Sequence, residues 1–365
     1  MAQKVLQKAK QAKKDEFYTQ SKDIEDELRH YKAQFRDIVV YCNCDDPFES
    51  NFFKYFVLNF KHLGLKSLIT TSYKPSPIAN TQLGLFGDNK TVEESKGRPK
   101  VTANRFIIND VGDINGDGSY NLKDVAEQLK ANKNNEWSSL EGEGDFRSAE
   151  CVELLKQADI VVTNPPFSLF REYIAQLVEH DKKFLIIGNT NALTYKEIFQ
   201  LFKDNNIRTG YTNFNVGMFF VVPSDWEQFH HLNEVGEKLA RVSTSCWFTN
   251  LDVEKHKEDI TLYRKYTPND YPVYANYDAI EVAKVSNIPM DFIGEMGVPI
   301  TFLDKYNPSQ FEIIGSSITL GKPMSKIAEK GTYVQGGPSF YIEVDNSRYQ
   351  RLYHRVIIKN KKVTK

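Results

Sequence analysis

The chain has 365 residues, 41% hydrophobic and 13% of them aromatic, enough to bury a full core and to build two domains. Lys and Arg number 47 against 48 Asp and Glu, so the net charge is −1 and no global basic field exists of the kind many nucleic-acid binders carry. No run approaches 18 apolar residues and the Lys-rich start lacks an apolar stretch, so neither a membrane span nor a secretory signal is expected, and the cytoplasm is the expected compartment.

Residues 1–14 read as a basic helix or arm in which Lys4, Lys8, Lys10, Lys13 and Lys14 precede any acid, and a second group of cations crowds residues 348–365. Two readings stand for these ends: solvated tails, or phosphate contacts if the ligand is DNA. A polar-aromatic knot, DEFYTQ (15–20), leads into a helical pattern over 21–35. Residues 37–44 then form a buried strand with Asp45, Asp46 and Pro47 at its end, followed by a very aromatic helix over 50–63. A second strand spans 65–72. Residues 73–100, with three prolines and three glycines, read as an excursion outside the core.

Residues 104–109 predict a further strand. Asp113, Asn115, Asp117, Gly118, Asn121 and Asp124 follow with the spacing of a calcium loop, but a strand precedes them and Asp replaces the usual final Glu. The other reading is an Asp/Gly turn capping a helix over 122–133, and no metal is assigned. A helix over 149–158 delivers the chain to the stretch around which the rest is organised.

That stretch is residues 159–167, DIVVTNPPF. Its β-branched run predicts a central parallel strand, and Pro165 and Pro166 end the ladder because neither has an N–H to give. Open α/β sheets bind ligands beyond the carboxyl ends of their strands, which puts Asn164 where a site is expected. The prolines bias Asn164 toward an extended conformation, so its side-chain oxygen and the Pro165 carbonyl converge as two acceptors that suit an NH2 group. Phe167 supplies a flat face on which a ring carrying that amine can stack. The plain alternative is a proline-rich turn with a helix cap.

A helix over 168–180, a strand over 183–189, a helix over 194–206 and a hairpin over 207–222 complete the predicted series. Alternation of strands and helices predicts an α/β fold with a mainly parallel sheet sandwiched by helices. From Ser224 the helices shorten and tyrosines accumulate (Tyr263, Tyr266, Tyr271, Tyr274, Tyr277), which places a boundary there between residues 15–223 and an α+β domain over 224–365. Those tyrosines suit plain packing or a surface that reads nucleic acid. Cys42, Cys44, Cys151 and Cys246 show no zinc spacing, and none follows a proline as the nucleophile of cytosine C5 methylation does.

The 164–167 tetrapeptide resembles the Asn-Pro-Pro-aromatic motif of S-adenosylmethionine-dependent amino-methyltransferases. Together with KKDEFYTQ, VVYCNCDDP, SNFFKYFVLNF, GDFRSAECVELLKQADIVVTNPPFSLFREYI, KKFLIIGN, TYKEIF and MGVPITFLDKYNP, in that order, the chain resembles the EcoRI-type DNA adenine methyltransferase family along about its whole length. The resemblance implies a Rossmann-like catalytic domain, a target-recognition domain over 224–365, and methyl transfer from S-adenosylmethionine to adenine N6 in double-stranded DNA. It also implies an expected monomer acting in the cytoplasm, near the nucleoid of a bacterial or phage-infected cell. Such enzymes are the protective partner of a restriction endonuclease that reads the same site without stable binding, or solitary methylases. The alternative is an amine in RNA or on a protein glutamine. By the same resemblance Tyr18 and Thr19 lie against the methionine part of the cofactor and Asp46 and Pro47 hold its amino end. Asp145 accepts from its adenine NH2 and Phe146 covers that ring, while Asn164, Pro165, Pro166 and Phe167 form the target-base site. Two departures stand: residues 44–50 lack a glycine-rich loop, and the second strand ends in Thr70, Thr71 and Ser72 rather than an acid for the ribose.

Overall fold

The structure, a computed structural model, describes residues 18–44, 50–73, 103–113, 124, 134–212, 214–222, 224, 226–345 and 348–363. Its contacts form two compact units, Met1–Ala192 with Thr209–Asp252, and Leu193–Arg208 with Val253–Lys365. The division therefore falls elsewhere than near Ser224. Strands beyond that point pair with strands before it, as set out below, and the helical segment Leu193–Arg208 joins the second unit.

The first unit is built on an eight-stranded mixed sheet. Strands β2 (Val39–Cys42), β3 (Ser67–Thr71), β6 (Ile160–Thr163) and β7 (Lys183–Asn189) are its parallel centre, in the order β3-β2-β6-β7. These segments are β-branched and apolar because both faces are covered, and β6 is buried at all four positions. Antiparallel strands β4 (Asn104–Ile108) and β5 (Glu136–Ser139) extend one side. On the other side β12 (Ser245–Thr249) pairs antiparallel with β7, and β8 (Arg208–Thr209) forms the edge. Four of the eight strands thus lie outside the parallel centre, more than the alternation of elements suggests.

Helices α1 (Ser21–Leu28), α2 (Asn51–Leu58), α3 (Phe60–Leu63), α4 (Ala149–Gln157) and α5 (Phe170–Glu179) supply the layers around it. The aromatic helix expected over 50–63 is broken at Asn59, which leaves the helical region (φ −102°, ψ 8°). A second, antiparallel sheet contains β1 (Tyr18–Thr19), β9 (Met218–Val221), β11 (Lys238–Val242) and β10 (His231–Leu232), ordered β1-β9-β11-β10. The hairpin expected over 207–222 is therefore not formed. β8 joins the large sheet and β9 the small one, each beside strands from elsewhere in the chain. Cys42 ends β2 and Cys44 takes a left-handed φ of 66°, and none of the four cysteines is in a disulfide.

In the second unit, helix α6 (Lys196–Lys203) accompanies a four-stranded sheet ordered β13-β14-β18-β15, formed by Ile280–Glu281, Met296–Pro299, Arg355–Asn360 and Phe311–Ser316. A ribbon of β16 (Tyr341–Asp345) and β17 (Arg348–Arg351) and the one-turn helix α7 (Ser317–Leu320) complete it. Met296, Val298, Val356, Ile357 and Ile358 are fully buried in its core. No helix among the described residues is long and apolar enough to cross a membrane.

Candidate active site

In the large sheet the chain leaves β2 toward β3 on one side and β6 lies on the other, so the topological switch point falls between β2 and β6. Such a crevice at the carboxyl ends is where an open α/β sheet takes its ligand. Asn43 follows β2 there and Asn164 follows β6, 2% and 8% exposed. Thr163 donates its hydroxyl to the Asn43 carbonyl, and Tyr173 of α5 donates its hydroxyl to Asn43 Oδ1. One buried asparagine therefore stitches the first strand's exit to the strand and helix on either side of the Asn-Pro-Pro-Phe turn.

Pro166 is extended (φ −54°, ψ 122°) and its carbonyl accepts from Leu169 N at 3.0 Å, closing a short 3-10 turn over Phe167–Leu169 before α5 begins. The entry of α5 is set by Phe170, which is buried where β7 carries Gly188. A Cβ at Gly188 would lie 2.4 Å from the Phe170 ring, so only glycine lets the helix close on the sheet here. Phe167 meets the ring of Phe220 edge-on, centroids 6.3 Å apart at 84°. Phe220 is in turn the β9 partner of Thr19 on β1. Asn51, in the first turn of α2, donates to the Thr19 carbonyl at 2.7 Å, and Ser50 caps that helix by accepting from Phe52 N at 3.1 Å. The structure thus links Thr19 and Phe167 through one phenylalanine.

Asp145 and Phe146 are held by the chain just before α4. Gly144 has a φ of +77°, and a Cβ on it would come within 2.0 Å of the Ser72 carbonyl, so the glycine lets Asp145 approach the end of β3. The Asp145 carboxylate accepts from Arg147 through its backbone N (2.9 Å), Nε (2.9 Å) and Nη2 (2.7 Å), which holds its pKa below the ordinary carboxylate value. Arg147 also reaches Glu172 of α5 at 2.9 Å and lies 5.2 Å over the Phe146 ring. Phe146 is buried, edge-on to Tyr173 at 5.0 Å and 70°, and its carbonyl accepts from Gln176 Nε2 at 3.1 Å. Helix α5 therefore does two jobs: it continues the Asn164 turn and, through Glu172, Tyr173 and Gln176, it fixes the Asp145 and Phe146 segment.

Asn43, Tyr173, Arg147 and Gln176 were not singled out by sequence reasoning. Tyr173 belongs to the apolar stripe Phe170, Tyr173, Ile174, Leu177, which reads as core, and only its hydroxyl's partner shows another role. At the end of β3, Thr71 Oγ1 lies 3.0 Å from the Tyr41 hydroxyl and Ser72 Oγ accepts from Asn104 N at 2.9 Å. Those side chains serve the sheet. Of the other predicted residues, Asp46, Pro47, the Tyr18 side chain, Lys4, Lys8, Lys10, Lys13, Lys14 and residues 114–123 of the calcium-like loop lie outside the described residues.

The geometry up to this point is that of an Asn-Pro-Pro-Phe turn at a sheet switch point. A family model described as Adenine-specific methyltransferase EcoRI matches residues 5–361. The chain belongs to this family. It is 44% identical over 356 residues to the Type II methyltransferase M.EcoRI of Escherichia coli, covering 95% of this chain and 98% of that one. The Type II methyltransferases M.MpnI of Mycoplasma pneumoniae and M.MgeORF184P of Mycoplasma genitalium are 35% and 34% identical, over 97% and 98% of this chain. No solved structure matches. As a member of the EcoRI methyltransferase family the protein is a site-specific DNA adenine methyltransferase, and the RNA and protein-glutamine alternatives give way to adenine in DNA.

Proposed function

We propose that the protein flips an adenine out of duplex DNA into the crevice beyond β6 and methylates its N6, with S-adenosylmethionine held in the first unit. The observation that carries this reading is the position of the Asn-Pro-Pro-Phe turn at the switch point of the large sheet. S-adenosylmethionine supplies a methyl bonded to a positively charged sulfur, activated enough for an amine to take it without a covalent enzyme intermediate. Asn164 Oδ1 and the Pro165 carbonyl accept from the N6 amine and favour the more tetrahedral nitrogen that develops during transfer. Phe167 stacks on the flipped base and offsets part of its unstacking. Because these groups are carried by a strand end and a helix start, positioning is their main contribution.

The residues present fit the cofactor. The parallel centre β3-β2-β6-β7 supports a Rossmann-like arrangement. Thr19 Oγ1 is buried without a hydrogen-bond partner among the described residues, which leaves a hydroxyl for the methionine end. Asp145 stays ionised beside Arg147 and about a third exposed, with lone pairs left to accept from an adenine NH2. Asp46 and Pro47 would hold the amino end. Asp145→Ala should weaken cofactor binding about ten- to a hundredfold, the loss expected for a hydrogen bond of roughly 1.5 to 3 kcal/mol to a charged group. Calorimetry giving an unchanged Kd would remove Asp145 from the pocket.

In this reading residues 1–14 are a DNA-contacting arm, the first unit is catalytic and the second recognises the target. The enzyme acts as a monomer in the cytoplasm, at the nucleoid, either protecting sites from a cognate restriction endonuclease or alone. Neutralising Lys4, Lys8, Lys10, Lys13 and Lys14 should weaken specific and nonspecific DNA binding by similar factors and flatten the salt dependence, because each lost phosphate contact removes close to one unit of slope. DNA titrations at several salt concentrations check this: an unchanged slope means the arm does not touch DNA. Sequencing DNA from an expressing host for methylated adenines tests the whole reading and gives the recognition site; no new methylated adenine would end it.

A further inference from the structure

The second unit holds a cleft of about 640 Å³ whose floor and rim differ in kind. At the floor Arg355 of β18 clamps Glu281 of β13, with Nε at 3.1 and 3.0 Å and Nη2 at 2.7 Å, and the Tyr274 hydroxyl also donates to Glu281. Both charges are almost fully buried and cancel each other. Among the described residues the third nitrogen, Nη1, has only the Tyr353 and His354 carbonyls at 3.4 and 3.5 Å, a poor use of a guanidinium N–H.

The rim carries Tyr263, Arg264 and Lys265, with the backbone tied at Arg264. Arg264 bridges Pro289, and its carbonyl accepts from Met290 N at 2.8 Å. Its guanidinium and the Lys265 ammonium, both exposed, make no hydrogen bond or ion pair with the described residues. Tyr263 beside them is 78% exposed. Two acids stand near this run: Asp270 of the rim accepts from Thr267 Oγ1 at 2.6 Å, and Asp291 accepts from Tyr266 N at 2.7 Å. A pinned backbone that displays two such cations and an uncovered aromatic ring over a charge-neutral floor suits a polyanion carrying flat apolar groups.

We propose that this cleft grips the DNA: Arg264 and Lys265 neutralise backbone phosphates and Tyr263 packs against an adjoining sugar or base. The proposal rests on DNA being the substrate and on the second unit's role in binding it. It also answers how a chain of net charge −1 holds a polyanion, by concentrating cations locally.

The test uses the full-length protein and a duplex that the wild type methylates, with a scrambled duplex as control. Arg264→Gln with Lys265→Gln should lower the slope of log affinity against log salt by about 1.8, from roughly 0.9 per phosphate contact, on both duplexes. Tyr263→Ala should weaken binding roughly tenfold and leave the slope alone, as loss of stacking does. The swap Arg264→Lys with Lys265→Arg retains both charges and should keep the wild-type slope. Cofactor affinity and melting temperature should not move in any of these variants, since neither cationic group bonds to the fold. An unchanged slope in the double Gln variant overturns the proposal, as does a slope lost only together with the melting transition. Failure of the broader reading is distinct: no duplex would then be found that the wild type methylates.

Discussion

Asn164→Ala should cut turnover by about two orders of magnitude or more and leave the affinities for cofactor and DNA near those of the wild type. Removal of one preorganised group aimed at developing transition-state charge typically costs that much. The uniform change in turnover and turnover over KM marks an interaction made in the transition state rather than in the ground state. Folding should be little affected at this position. The turn is held by Pro165 and Pro166, by Thr163 bonded to the Asn43 carbonyl, and by Phe170 closing on Gly188, none of which needs the Asn164 side chain. Single-turnover methylation with saturating cofactor and DNA measures the chemical step directly. Wild-type turnover in the variant would remove the acceptor role, whereas a large rise in the DNA Kd with normal turnover would move Asn164 from chemistry to base binding.

The parts of this site that lie within one segment were legible in the sequence, and the parts that join segments were not. Strand β7 reads from its apolar run, α4 from its period and Ser148 cap, and the turn at Asn164 from two prolines after a β-branched strand. By contrast, Asn43 and Tyr173 meet across 130 residues, and nothing in either neighbourhood marks them as partners. The failed hairpin has the same cause. Gly210 and Gly217 punctuate residues 207–222 as a turn would, but β8 and β9 find partners in different sheets, and pairing at long range leaves no local period. Strand β5 was missed for another reason: EWSS is polar and mostly exposed, so it lacks the burial that makes an internal strand visible. Asp145 entered only through the family resemblance. Its clamp by Arg147 was not legible, because whether a charge two residues away folds back depends on the turn that Gly144 permits.

Glu27→Ala should markedly destabilise the protein. Glu27 lies on α1, fully buried, and its carboxylate accepts at 2.6 Å from the Tyr31 hydroxyl, from the backbone N–H groups of Tyr211 and Thr212, and from the Thr212 hydroxyl. Gly210 packs so close that a Cβ there would lie 2.4 Å from Oε1, so no water-sized space separates the loop from the acid. Deleting the carboxylate leaves those donors facing a cavity, at about 1 to 3 kcal/mol for each one left unsatisfied. The loop so released is the one that leads to β9, where Phe220 supports Phe167, so methylation should fall with stability rather than independently of it. Burial raises the Glu27 pKa while its hydrogen bonds oppose that rise. The folded state then holds this proton more tightly than the unfolded chain. Its contribution is fully present below the ordinary carboxylate pKa and is lost as pH rises through the raised folded value. Glu27→Gln keeps the shape and cannot titrate, so the wild-type minus Gln difference in unfolding free energy should shrink as pH rises across that window. Denaturant titrations of both proteins between pH 4 and 8, roughly the span in which a raised carboxylate titrates, give the sign; a difference that grows with pH would mean that the hydrogen bonds outweigh burial and that Glu27 is held as a carboxylate throughout.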